Sequence, residues 1–409
     1  MSNYKGKLSG MKNKVKKIVR TWIFLLAVIM LYSINVPAAT RTQASIGKKN
    51  YTTIQKALAS VKNGQTIKIQ KDVLINNQIR MKRNVKFTLD LNNHTVKKIQ
   101  HDGDIINYTM GDFDLAKGQM NVKNGTLDAW VTVQKGATLN VKKGTYSRIE
   151  NWGTVNVTDG AIKGRMDVGE YFQQDTYALV NYGKMTISGG KVEATVLNFK
   201  GKTTLTKNGT ITYNCRYNDW GIRVCGGNVV IEGGKVAAIY EGAGKTYTGL
   251  LFCEQGKVEI KGGTLDAKGI KCIYNEGGEV VISKGKIIGS EVIDNRSRVI
   301  IKGGNIQGCT WNLAHMEISG GSLSNFSTTL RCVGKSSTYI SGGTFIAEQY
   351  SPFLVDEYVE PKILSISGAR IITKSFGAYV FGKKLDSMKL ANKNIILEGF
   401  EGLTNPYVV

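Results

Sequence analysis

MEISGGSL, Met316–Leu323, is the stretch on which the fold turns, because the chain restates it about a dozen times. Met316 and Ile318 alternate at period two and point to one side of a strand, while Glu317 and Ser319 face water. Gly320 and Gly321 then give a bend that a side chain would obstruct. Aligned on the second glycine, the copies include VKNGTL at Gly125, VKKGTY at Gly144, ISGGKV at Gly190, IEGGKV at Gly234, IKGGTL at Gly263 and ISGGTF at Gly343. ISGARI closes the series, with Ala369 in the glycine place. The intervals run from 16 to 30 residues and average about 22. That is the length of one β-solenoid turn and far below the roughly 40–45 residues of a propeller blade.

Each turn holds two or three short strands and no helix, and the conserved leucine lattice of a leucine-rich repeat is missing. Stacking at about 4.8 Å pairs each strand in parallel with its equivalents above and below. About thirteen turns give a length on the order of 60 Å. A second register agrees with the first. About nine residues before the aligned glycine stand Asn151, Asn181, Asn198, Asn275, Asn295 and Asn312. Amides stacked at one bend can hydrogen-bond to each other as a ladder.

The N-terminal 44 residues read as a signal peptide or uncleaved anchor: a basic cluster from Lys12 to Arg20, the apolar run Trp22–Tyr32, and the small polar stretch Ser33–Ser45. Cleavage is expected after Ala38 or Ala44. Residues 45–70 read as a cap, in which Tyr51–Val61 is a helix with Ile54, Ala57, Leu58 and Val61 on one face and Thr52 or Thr53 as its N-cap. Such a helix covers the core that a solenoid exposes at its first turn. LDLNNHTV, Leu89–Val96, is a divergent unit in which Asn92 and Asn93 replace glycine. The solenoid is assigned to 71–372, and 373–409 to final strands, read at Ala378–Phe381 and Asn394–Leu397, and a cap.

Signal segment, capping helix, LDLNNHTV and the repeated glycine units together resemble the right-handed parallel β-helix proteins of the pectin-lyase-like class, over roughly Tyr51 to Ile372. The fold class implied is all-β, a single-stranded right-handed parallel β-helix. The resemblance is specific for architecture and not for activity, since this fold carries lyases, hydrolases, adhesins and passive stalks. Likeness to the polygalacturonases would imply Asn-Thr-Asp, Asp-Asp, His-Gly and Arg-Ile-Lys motifs on successive turns, and none of the four occurs. No catalytic residue is therefore assigned.

Two excursions carry the candidate site residues. Asp102, Asp104, Asp112 and Asp114 lie in the long interval between Lys97 and Met120, where four carboxylates offer oxygen ligands for calcium; a solvated acidic loop is the plainer reading. Tyr213, Arg216, Tyr217, Trp220 and Arg223 form an aromatic and basic group whose rings can stack on sugars and whose guanidinium groups can pair carboxylates. The same rings read equally as packing over the solenoid.

Lys+Arg outnumber Asp+Glu by 55 to 31, and without the first 44 residues the balance is still 47 to 31. The excess favours polyanionic surroundings, or is simply a soluble Lys-rich surface. Of the six Cys, none has paired CxxC spacing; Cys225 and Cys253 fall on consecutive turns, so a disulfide and buried free thiols are both open. The expectation is an exported, secreted or cell-surface monomer that binds or spaces polysaccharide in the manner of an adhesin. No specific nucleic-acid partner is expected, and no membrane contact after signal cleavage. The alternatives are a divergent polysaccharide lyase or glycoside hydrolase, and a passive stalk.

Overall fold

The computed structural model describes residues 42–98, 111–164, 177–214, 220–239, 249–349, 352–355 and 363–373, with the strands Met388–Leu390 and Ile395–Glu398. The signal segment, Ala378–Phe381, His101 and Cys215 lie outside the described residues. The fold is all-β with one helix among the described residues, and its strands join one long, predominantly parallel sheet.

Each repeat contributes three strands, and each pairs in register with its equivalent one repeat on. The first strands place Met316 between Val299 and Thr338, and Ile318 between Ile301 and Ile340. The second strands align Val96, Leu127, Tyr146, Ile162, Val192 and Ile211, and the same column continues through Leu323 to Phe345 and Ile371. The third strands align Ile79, Phe113, Val131, Ile149, Leu179, Val196, Ile222, Leu251, Ile273, Ile293, Thr310, Leu330 and Phe353. These columns are buried and make one continuous core.

Both glycines of the opening motif are explained, each differently. Gly321 has φ +93°, the left-handed region, whereas a Cβ on Gly320 would lie 2.6 Å from the Lys302 carbonyl oxygen of the repeat before. The expected break between strands is softer than the sequence suggests. His315–Asn325 is one strand with irregular register from Ile318 to Ser322. Asn92 and Asn93 take φ of 50° and 65°, as their place in the glycine position requires.

The amide column forms. Asn151 Nδ2 donates to Asn181 Oδ1 at 2.8 Å and Asn181 to Asn198 at 2.9 Å; Asn275 donates to Asn295 at 3.0 Å and Asn295 to Asn312 at 2.8 Å. All six are fully buried. Val224 and Cys253 occupy the register between the two runs.

The helix is shorter than expected, Ile54–Ser60, with Thr53 Oγ1 accepting from Lys56 N at 3.2 Å. Tyr51 belongs instead to the strand Lys49–Tyr51, which pairs antiparallel with Ala44–Ile46. That strand also pairs antiparallel with Thr66–Ile69 of the first repeat. Helix and hairpin together bury Ala44, Ile54, Ala57, Leu58 and Val61 at the first repeat. Arg83 donates to the carbonyls of Ala59 and Val61, both at 2.7 Å, and so satisfies acceptors at the helix C-terminus.

Candidate functional site

Alternation along the third strands turns every second residue away from the core, and these residues form a stripe. Starting from Glu150 the outward column runs Val180, Leu197, Arg223, Phe252, Tyr274, Asp294, Trp311 and Arg331. Two residues further along the chain, past the amide column, come Trp152, Tyr182, Phe199, Cys225 and Glu254. Trp152 and Tyr182 stack at 3.9 Å and 7°, and Tyr182 and Phe199 at 5.0 Å and 1°. The first three of these rings each follow a ladder asparagine: Asn151-Trp152, Asn181-Tyr182, Asn198-Phe199. That thrice-repeated pair is the sequence signal for this surface, and it lies outside the long excursions.

Part of this surface forms an open cleft of about 440 Å³, lined by Trp130, Arg148, Glu150, Tyr177, Val180, Tyr182, Leu197, Phe199, Arg223, Cys225 and Glu254. The volume lies in the range of small-molecule pockets. Val180 and Leu197 form its floor. At one end Arg148 lies over the Trp130 ring at 4.2 Å, and Trp152 Nε1 donates to Glu150 Oε1 at 3.0 Å. At the other end Arg223 donates to Glu254 Oε2 from Nε at 3.2 Å and from a terminal nitrogen at 3.0 Å. Cys225 Sγ donates to the same oxygen at 3.2 Å. Burial, reinforced by that hydrogen bond, pushes the Cys225 thiol up to about 11, so the thiol keeps the proton it donates.

The two carboxyl groups are pushed apart. Burial raises Glu150 above the usual range, against the opposing Trp152 hydrogen bond and Arg148 charge. Burial also acts to raise Glu254, but hydrogen bonds from Cys225 and Arg223 and the Arg223 charge outweigh it, and Glu254 is lowered. Such a split suits an acid and base pair. Their placement disfavours such a pair: the two belong to strands four spacings apart, roughly 19 Å of backbone stacking. A glycosidase pair needs about 5–9.5 Å.

Beyond Arg223 the stripe continues as a second aromatic group. Trp220 lies 5.3 Å from Phe252 and 5.7 Å from Tyr274, with Lys271 and Arg296 at 5.3 and 5.1 Å over the Tyr274 ring. Lys271 pairs with Asp294 at 2.8 Å and Glu291 at 3.1 Å.

Of the expected sugar-binding residues, Trp220 and Arg223 lie on this surface, though on the strand Trp220–Val224 and not on a loop. Tyr213 does not: it is 2% exposed and packs into the core, two positions after the inward Ile211. Arg216 and Tyr217 lie outside the described residues, as do Asp102 and Asp104 of the acidic group. Asp112 Oδ2 accepts from Trp130 N at 3.0 Å, and the fully buried Asp114 meets Arg80 Nε at 3.0 Å and Gln134 Nε2 at 3.1 Å. Both are thus engaged within the protein. Among the described residues no cluster of three or more His, Cys, Asp or Glu is placed to hold a metal ion. Cys225, Cys253, Cys272, Cys309 and Cys332 are free thiols. Cys253 points inward opposite Val224, whereas Cys225 is one residue further on, beside Glu254.

Four of the long insertions share one place in the repeat. Residues 99–110, 165–176, 215–219 and 240–248 all fall between a second strand and the following third strand of the repeat. Comparison with known proteins gives no matching family model, no matching curated protein and no matching solved structure.

Proposed function

We propose that the chain is an exported right-handed parallel β-helix of the pectin-lyase-like kind that binds surface polysaccharide or host glycan without transforming it. The observation that carries the reading is the outward stripe on the third strands, where aromatic rings, guanidinium groups and carboxylates line a cleft on consecutive repeats. Aromatic bodies with polar neighbours suit sugars, which present apolar C–H patches ringed by hydroxyls. A stripe that continues from repeat to repeat suits a polymer better than a small molecule. Excess positive charge draws in polymers that carry acid groups and accelerates the encounter. The four strand spacings between the strands of Glu150 and Glu254, roughly 19 Å of backbone stacking, argue against their acting as a hydrolytic pair.

The test is retention of the exported form on immobilised pectate, alginate, glycosaminoglycans and bacterial wall polymers, with and without Ca²⁺. Binding to at least one is expected, weakened tenfold or more by the double substitution Tyr182→Ala, Arg223→Ala. Retention on none would leave a passive stalk. New unsaturated or reducing ends in the polymer would establish a lyase or hydrolase instead.

A further inference from the structure

We infer that the N-terminal end of the stack is a docking face for an anionic lipid bilayer, drawn there by exposed lysines and kept after the apolar run Trp22–Tyr32 is removed. This role rests on the export proposed above and is independent of glycan binding.

The positive charge of the chain is concentrated at this end. Residues 45–98 hold 12 Lys and Arg against 2 Asp and Glu, whereas residues 99–409 hold 35 against 29. The first group makes the hairpin, the cap helix and the opening strands of the stack. Among the described residues, Val73–Ile75 and Ile79–Met81 pair only with strands that follow them, so they form its edge. Both arginines of the group are engaged: Arg80 meets the buried Asp114, and Arg83 the carbonyls at the helix end. The charges left to solvent are lysines. Lys48, Lys62, Lys68, Lys82 and Lys86 are exposed, and the two carboxylates of the group, Asp72 and Asp90, face His94 and Lys123 instead.

Lysines are compact charges on flexible stems, without the planar fork by which arginine fixes a single carboxylate or phosphate. Spread over a hairpin, a helix and strand ends, they suit diffuse negative charge better than one bound ion. Leu74 narrows the partner to a bilayer. It is 62% exposed, the highest value among the large hydrophobic side chains of the described residues, and it stands on the edge strand opposite Lys97. A hydrated polyanion offers that side chain nothing, whereas an anionic bilayer offers headgroups to the lysines and an apolar layer to the leucine. On the proposed export the chain also reaches this end from the bilayer, since nine residues separate Tyr32 from Thr42, a span of at most about 35 Å. Contact with the bilayer then outlasts the apolar run, where that run alone leads to the expectation of none after cleavage. The plainer role for lysines at an open edge is to keep a second copy from pairing with it. That role accounts for the lysines and leaves Leu74 unexplained.

The measurement is co-sedimentation of the exported form with vesicles of phosphatidylglycerol and phosphatidylcholine in equal parts, and with vesicles of phosphatidylcholine alone, over a range of salt. Binding to the anionic vesicles only is expected, weakening as salt rises. Each lysine near such a surface is worth about fivefold, so Lys48→Gln, Lys62→Gln and Lys82→Gln together are expected to weaken binding by about thirtyfold or more. Lys184→Gln, Lys202→Gln and Lys207→Gln remove the same charge from exposed positions farther along the stack and are expected to weaken it by less than about threefold. Leu74→Gln is expected to weaken binding severalfold without changing its salt dependence. Equal losses in the two triple variants, or equal binding to the neutral vesicles, would overturn the assignment. No vesicle binding would overturn it too, even where the same lysines take up soluble polyphosphate, and would leave them as guards of the open edge. Retention on polysaccharide is read separately, so glycan binding stands or falls on its own.

Discussion

Asn295 shows how much a single side chain carries in this architecture. Its Nδ2 donates to Asn312 Oδ1 and to the His315 carbonyl, both at 2.8 Å, and its Oδ1 accepts from Asn275 and from Ser297 N at 3.1 Å. Asn295→Ala leaves several buried groups unpaired and is expected to destabilise by about 2–4 kcal/mol in urea titration; a change below about 0.5 kcal/mol would show the ladder to be incidental. Glycines separate strain from crowding. Gly136 and Gly321 have φ of +83° and +93°, but only at Gly321 would a Cβ meet backbone, 3.0 Å from Gly303 C and Gly304 O. Gly321→Ala should therefore cost about 1–2 kcal/mol more than Gly136→Ala in the same titration. The sign of a pH effect is fixed at Glu150. Burial holds its folded-state pKa above the unfolded value, so its contribution is fully present below the unfolded value near pH 4.3 and is lost as pH rises through the folded one. Glu150→Gln is expected to be more stable than wild type at pH 7 and equal to it at pH 3.5. Inward residues such as Met316 and Ile318 were legible because one core selects the same chemistry at every repeat. Outward residues answer to no common constraint, so Arg148, Glu150 and Glu254 gave no signal. Of the two readings open for Tyr213, packing holds, because it shares the inward direction of Ile211 two positions earlier.

The repeat as an element takes four of its long insertions at one corner, between second and third strands, while residues 356–362 fall between a third strand and the next first strand. The second strand Lys191–Val192 is followed within two residues by the third strand Thr195–Asn198, whereas Ala161–Ile162 in the repeat before is followed by the insertion 165–176. Replacing 163–176 with the two-residue link found after Val192 is expected to leave the melting temperature within a few degrees, because the flanking strands already meet at that spacing next door. Loop length was readable in the sequence as interval length, but its position was not, since counting residues does not reveal which corner of the repeat they leave. The N-terminal hairpin sharpens another expectation. Ala44 is fully buried and faces both Tyr51 and Ile69, and Gln43 Oε1 accepts from Ile54 N at 3.1 Å. Cleavage after Ala44 would remove this strand's first residue and the helix's side-chain acceptor. On the proposed export and signal cleavage, N-terminal sequencing of the processed chain is therefore expected to find Ala39 and not Ser45 as the first residue.

At the scale of the molecule, strand pairing among the described residues runs between adjacent repeats, so stability accumulates pair by pair along the stack. The amide column is interrupted at Val224 and Cys253, which divides it into two hydrogen-bonded runs, 151–198 and 275–312. Unfolding is expected to depart from a two-state transition, with a van't Hoff enthalpy below the calorimetric one, and Val224→Asn with Cys253→Asn is expected to draw the two enthalpies together. The stacked rings have a consequence of another kind. Trp152 and Tyr182 belong to successive repeats yet stack nearly parallel with their centroids 3.9 Å apart, close enough for their electronic transitions to couple. The protein thus carries an optical gauge of its own winding: a near-ultraviolet circular dichroism band that exists only while these two repeats are in register, read without any label, at the edge of the cleft where a ligand would settle.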